Sequence, residues 1–120
     1  MPEAREAVIV IDGGPAAEHG WLGLRMALAL GLAGCEVTVV LRDEAILLAA
    51  RELDARAWLG GDPRADLDGL LGEAGARVVV AERSMREAAA SGTAIRAGLP
   101  VILDAELLAL LDRASVVTRL

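Results

Sequence analysis

One thiol and one imidazole make up most of the special chemistry this chain can offer. Among its 120 residues there is a single cysteine, Cys35, and a single histidine, His19. Lys, Tyr, Phe, Asn and Gln are absent, and all 12 basic residues are Arg. Without Lys the chain can form no Schiff base and no phosphate-loop lysine contact. One Cys and one His cannot build a zinc site or a disulfide framework, so no metal and no cofactor is expected. Trp21 and Trp58 are the only aromatic side chains. That is a poor platform for stacking single-stranded nucleic acid. The net charge of −6 repels a phosphate backbone, so no nucleic-acid partner is expected. The remaining repertoire is Asp, Glu, Arg, Ser, Thr, His19 and Cys35.

These residues need a scaffold. Hydrophobic residues make up 55% of the chain, too many for disorder, and the length suits one domain over 1–120. Ala7-Val-Ile-Val-Ile11 is a β-branched run that reads as a strand buried on both faces, ended by Asp12-Gly13-Gly14-Pro15. A helix is predicted from about Leu22 to Ala33, closed by Gly34. Glu36-Val-Thr-Val-Val-Leu41 is a second strand, and Asp43 is placed to cap a helix over about 44–53. Asp62-Pro63 starts another, running to about Ala74 with Gly75 as its stop. Arg77-Val-Val-Val80 is a third strand. Ser84-Met-Arg-Glu87 has capping-box spacing, which predicts a helix from Met85 to near Gly92. Pro100-Val-Ile-Leu103 is a short fourth strand, Asp104 caps a helix over 105–113, and Ser115-Val-Val-Thr118 is the last strand. Alternation of this kind predicts an α/β fold: a mostly parallel sheet with helices on both faces, layered as in flavodoxin-like proteins.

Ligands of such sheets bind outside the carboxyl ends of the strands. Here those ends carry Asp12-Gly13-Gly14, Arg42-Asp43, Glu82-Arg83-Ser84 and Asp104. Most of the polar residues that interrupt the apolar strands collect on this one edge. Helix N-termini point there as well and favour an anion. Asp12, Gly13, Gly14, Arg42, Glu82, Arg83 and Ser84 are therefore the candidate ligand-binding residues. The structural explanation is also available: Asp43, Ser84 and Asp104 serve as N-caps, each contributing about 1 kcal/mol, and the glycines serve as turn residues. Glu82 and Arg83 are not accounted for by capping.

Other chemistries find less support. Cys35 falls at the amino end of the second strand, on the opposite edge, where no helix N-terminus is expected beside it. A buried structural thiol is the reading the residues favour, with sulfur or redox chemistry at Cys35 kept as an alternative. Ser84 has no evident base, and a triad of Ser84, His19 and Asp12 is not supported by spacing. No phosphate-loop or dinucleotide motif is present.

The order of motifs resembles the DsrE/DsrF-like family of sulfur-relay proteins, of TusBCD/DsrEFH type. The likeness lies in the small-residue loop Asp12-Gly13-Gly14-Pro15 and in Gly23-Leu24-Arg25-Met26-Ala27-Leu28-Ala29, which matches a G-L-R-x-A-L pattern. It continues in the Glu36–Leu41 strand and in the closing stretch Glu106-Leu-Leu-Ala-Leu-Leu-Asp-Arg-Ala-Ser-Val-Val. The resemblance implies a compact α/β subunit that assembles as a trimer, a hexamer or a hetero-oligomer with related subunits. It also implies a persulfide-carrying Cys in the loop after the third strand. The matching stretch here, Val80-Ala81-Glu82-Arg83-Ser84-Met85, holds none. Ala81 and Ser84 stand where the thiol would be.

The expectation is thus a non-catalytic subunit related to intracellular sulfur transfer, acting by assembly or by binding a small anion. The alternatives are an enzyme using Cys35 and a flavodoxin-like small-ligand binding module. Assembly has an independent motive. Trp21, Leu22, Leu24, Met26, Leu28, Leu30 and Leu32 point all round the first helix, and a helix apolar on every side needs cover on every side. The longest apolar stretch, Trp21 to Ala33, is interrupted by Arg25 and is shorter than the ~20 residues of a bilayer span. Glu3 and Glu6 stand where a targeting leader would be basic. A cytoplasmic protein with no membrane partner is expected.

Overall fold

The β-branched runs form the sheet. In the computed structural model, which describes residues 5–14, 18–51 and 62–120, strands β1 (Glu6–Ile11), β2 (Glu36–Leu41), β3 (Arg77–Ala81), β4 (Val101–Ile102) and β5 (Val116–Arg119) build one sheet in the order β4-β3-β2-β1-β5. All four pairings are parallel. β2 is the central strand, and β1 lies between it and the edge strand β5, paired in register with β2 from Glu6↔Glu36 to Ile11↔Leu41 and with β5 from Ala7↔Val116 to Val10↔Arg119. A parallel sheet needs cover on both faces, which explains why β1 and β2 are apolar at nearly every position.

The α-helices are α1 (Glu18–Leu32), α2 (Pro63–Leu71), α3 (Glu82–Ala90) and α4 (Asp104–Arg113). They are divided unevenly. Ala7, Ile9, Ile11, Val37, Val39, Leu41 and Val78 pack with Leu24 and Ala27 of α1 and Leu67 and Leu70 of α2. Ala88 of α3 joins the same side through Ile46 and Val80. On the other face Val8, Val10, Val40 and Val79 meet Leu107 and Leu110 of α4 alone. The α/β class and the helices on both faces are as expected, within one compact domain.

Several boundaries differ from expectation, each for a physical reason. α1 begins four residues early, at Glu18. Gly20 lies so close to the carbonyls of Gly14 and Gly13 that a Cβ there would sit 2.5 and 2.8 Å away. The early turn is thus set by packing on the loop after β1. The expected α-helix after Asp43 is a 3-10 turn over Asp43–Ala49. It stops because Ala50 pairs antiparallel with Ile95 and the Arg51 N–H donates to the Ala94 carbonyl. Residues 52 and 53 of the expected helix, and Trp58, lie outside the described residues. Asp43 does not act as a cap. It is the first residue of the turn, with φ of 53°, and its N–H donates to Ser84 Oγ at 2.8 Å.

Ser84 is likewise not a cap. α3 starts at Glu82, three residues before the expected Met85, and Ser84 is buried inside its first turn. Asp104 is the first residue of α4, and the capping position falls on Leu103, whose N–H donates to Glu106 Oε1 at 3.0 Å. α2 begins as read, with Asp62 accepting from the Arg64 N–H and Pro63 at the first position, but ends at Leu71. Gly75, expected to stop that helix, adopts a φ of 62° three residues beyond its cap at Gly72.

α1 is covered only in part. Leu24 and Ala27 are buried against the sheet. α2 approaches the neighbouring stripe, where a Cβ on Gly31 would meet Ala74 at 2.7 Å and one on Gly69 would meet Leu28 at 3.4 Å. Leu22, Met26 and Leu32 remain exposed. None of the described helices is long and apolar enough to cross a membrane.

Candidate functional site

The carboxyl edge of the sheet is organised around Asp12, the residue that ends β1. Its carboxylate accepts from Arg42 Nε at 2.8 Å and from Arg42 Nη2 at 3.0 Å, a two-pronged contact across the ends of β1 and β2. From the other side Arg119 Nε donates to Asp12 Oδ2 at 2.9 Å. Register explains the meeting. Arg119 pairs with Val10 in the β1–β5 ladder and Arg42 directly follows Leu41, which pairs with Ile11. One carboxylate thus ties three strand ends together.

The electrostatics follow. Hydrogen bonding to Arg42 chiefly, opposed by partial burial and helped by Arg119, holds the Asp12 carboxyl below its ordinary value. Arg42 is held above its already high value, first by its bonds to Asp12. Both groups stay charged at neutral pH, and the pair is a fixed feature of the edge.

Beside it, between the strand ends and α4, opens a cleft of about 500 Å³. Arg42, Asp43, Arg83, Ser84, Asp104 and Arg119 supply its polar lining, and Ala81, Leu107, Leu108 and Leu111 its apolar lining. Three arginines therefore face the cavity, two of them engaged with Asp12. Among the described residues no carboxylate pairs with Arg83, which stands exposed on the first turn of α3. Free N–H groups at the start of α3 and α4 open on the same region, and both helices carry an acidic residue in the first turn.

Of the seven residues singled out in the sequence, the structure brings Arg42, Arg83 and Ser84 into one cleft and places Asp12 behind it through Arg42. Ser84 Oγ is occupied by the Asp43 N–H. Gly13, Gly14 and Glu82 lie outside the lining. Gly14 is buried, with space for a Cβ only 3.0 Å from the Glu44 carbonyl oxygen, and Glu82 approaches Arg86 one turn on at 3.5 Å. Sequence reasoning missed Arg119 and the leucines of α4. A positive residue directly after the expected last strand, Ser115 to Thr118, was the available signal for Arg119. For the leucines, three apolar positions at spacings of one, three and four residues on a predicted helix were visible, but not which of them would face a cleft.

Cys35 lies on the opposite edge, half-buried between α1 and β2, with its N–H donating to the Leu30 carbonyl and its side chain packed on the core. Among the described residues no cluster of His, Cys, Asp and Glu has the arrangement of a metal site. His19 falls within the first turn of α1.

No family model matches the chain, and no curated protein does so. Among solved structures, the crystal structure of the ychN protein from E. coli is similar, with a TM-score of 0.82 and 20% identity over 97% of this chain and 99% of that one. At that identity the likeness is one of fold.

Proposed function

We propose that this chain is a DsrE/DsrF-like subunit that serves a process related to sulfur transfer without itself carrying sulfur, and that its carboxyl-edge cleft holds a small anion. The observation that carries this reading is the position of Cys35. The only thiol in the sequence lies at the amino edge of the sheet, away from the cleft, while the end of β3 and the first turn of α3 offer Ala81 and Ser84. A persulfide on Cys35 would form on a core-packed side chain beside no helix N-terminus. The cleft, in contrast, supplies guanidinium groups and free backbone N–H groups, which suit an oxyanion. The fold shared with the ychN protein supports the family-level part of the reading.

Assembly is the second part of the proposal. The exposed Leu22, Met26 and Leu32 on α1 give a contact face for further copies or for related subunits, as a trimer, a hexamer or a hetero-oligomer. Location in the cytoplasm is part of the same proposal. Enzymatic use of Cys35 is disfavoured by its position.

The test is a titration with acetate, hexanoate, thiosulfate and sulfate followed by thermal shift, alongside light scattering. Saturable stabilisation that is lost in Arg83→Ala, in a protein larger than a monomer at micromolar concentration, is the expected result. No stabilisation by any of these anions would refute the anion site, and a strict monomer would refute the assembly.

A further inference from the structure

The cleft has two unlike walls, and together they specify more than an anion. On one side stands Arg83, without a carboxylate partner among the described residues. On the other stand Leu107, Leu108 and Leu111 of α4. Leu107 is buried against the sheet and Leu111 partly so, but Leu108 is 66% exposed, the most exposed of the large hydrophobic side chains among the described residues. The fold makes no use of it. The remaining charges set a limit on the ligand. Arg42, Arg83 and Arg119 are balanced by Asp12, which the first and last of them clamp, and by Asp43 and Asp104 on the cleft wall. A cavity balanced in this way gives little attraction to a compact dianion, whose two charges would both lie close to Asp43 and Asp104. It suits a ligand with one negative charge to meet Arg83 and an apolar body to cover the leucines.

We infer that the cleft binds an amphipathic monoanion, an alkyl carboxylate or alkyl sulfonate, with its head on Arg83 and its chain along Leu108 and Leu111. This rests on the reading of the cleft as an anion site and names the class of anion. The volume of about 500 Å³ falls within the range of small-molecule sites. Binding then draws on both walls, and neither alone is sufficient.

The experiment is a calorimetric titration of the full chain with butanoate, hexanoate and octanoate, and with octanesulfonate, octylamine and thiosulfate as comparison ligands. Each added methylene is expected to tighten binding by about threefold to fourfold, until the chain outgrows the cleft. Octanesulfonate should behave as octanoate does, and octylamine should not bind. Arg83→Gln is expected to weaken octanoate by about tenfold. Leu108→Ser should remove the dependence on chain length while the thermal melt of the unliganded protein stays unchanged. Equal binding of octylamine, or affinity indifferent to chain length and to both variants, would overturn the proposal. Binding of thiosulfate that depends on Arg83, with no gain from added methylenes, would overturn it while leaving the anion site in place. No binding by any anion would overturn both.

Discussion

Arg42 grips the Asp12 carboxylate with two hydrogen bonds, Nε at 2.8 Å and Nη2 at 3.0 Å, although the two residues are 30 positions apart. The pair is partly shielded from water, and Arg119 completes it from β5. Asp12→Asn removes the charge that both arginines share. It is expected to cost about 1–2 kcal/mol in urea denaturation, the range for a charge-assisted pair discounted for its exposure. Arg119→Ala, whose side chain is 70% exposed, should cost less than about 1 kcal/mol. Equal losses for the two variants would contradict this ordering.

Acid should expose the same pair. Arg42 first, then Arg119, against partial burial, hold Asp12 below the ordinary 3.8. Its folded pKa is lower than its unfolded one, so the unfolded chain takes up the proton first. The stabilisation is complete above about pH 5 and is lost as the pH falls through 3.8 and on through the folded value. Asp66 works in the opposite sense. Burial, only partly offset by Arg25, raises its pKa, so its contribution is full below the unfolded value and lost as the pH rises through the folded one. Asp12→Asn should flatten the acid limb of a stability–pH curve, and Asp66→Asn should steepen it. An acid limb unchanged in Asp12→Asn would show that the clamp does not form in solution.

Ser84 and Asp43 form a second linkage across the site. The buried Ser84 hydroxyl accepts the N–H of Asp43, a residue with φ of 53°. Ser84→Ala leaves that N–H without its partner and is expected to cost about 1–3 kcal/mol. Asp43→Gly relieves the left-handed backbone and should gain up to about 1 kcal/mol. Differential scanning calorimetry of both variants checks the signs, and stabilisation by Ser84→Ala would contradict the linkage.

The glycines of α1 and α2 should part company. A Cβ on Gly20 would meet the backbone oxygens of Gly14 and Gly13, which cannot turn aside. Gly20→Ala is therefore expected to cost about 2 kcal/mol or more. A Cβ on Gly69 meets only the end of Leu28 at 3.4 Å, so Gly69→Ala should stabilise the interior of α2 by about 0.5–1 kcal/mol. Chemical denaturation of the two variants gives both values, and a tolerated Gly20→Ala would refute the close approach of α1 to the β1 loop.

The strands were legible because a parallel sheet covered on both faces demands near-continuous apolar runs, and Val8–Ile11 and Val37–Leu41 supply them. The helix starts were less legible. Ser84 and Asp43 have the side chains of N-caps, and local rules read them so, but the Ser84 hydroxyl instead accepts the backbone N–H of Asp43 across 41 positions. Glu18-His19-Gly20 has the look of a turn, and the fit of Gly20 against Gly13 and Gly14 makes it helix. At the site, Arg42 and Arg83 could be placed on one edge from strand order alone. The clamp on Asp12 could not, because it depends on β5 lying beside β1, a crossover that no local pattern fixes.

The central claim is that this chain does not carry sulfur. Intact-mass spectrometry of the protein after exposure to a persulfide donor, followed by an acceptor thiol, tests it most directly, with Cys35→Ala as the control. The account predicts no sulfur that passes to the acceptor, and the same result for protein and control. Sulfur gained on Cys35 and handed to the acceptor at the donor's own pace would contradict it.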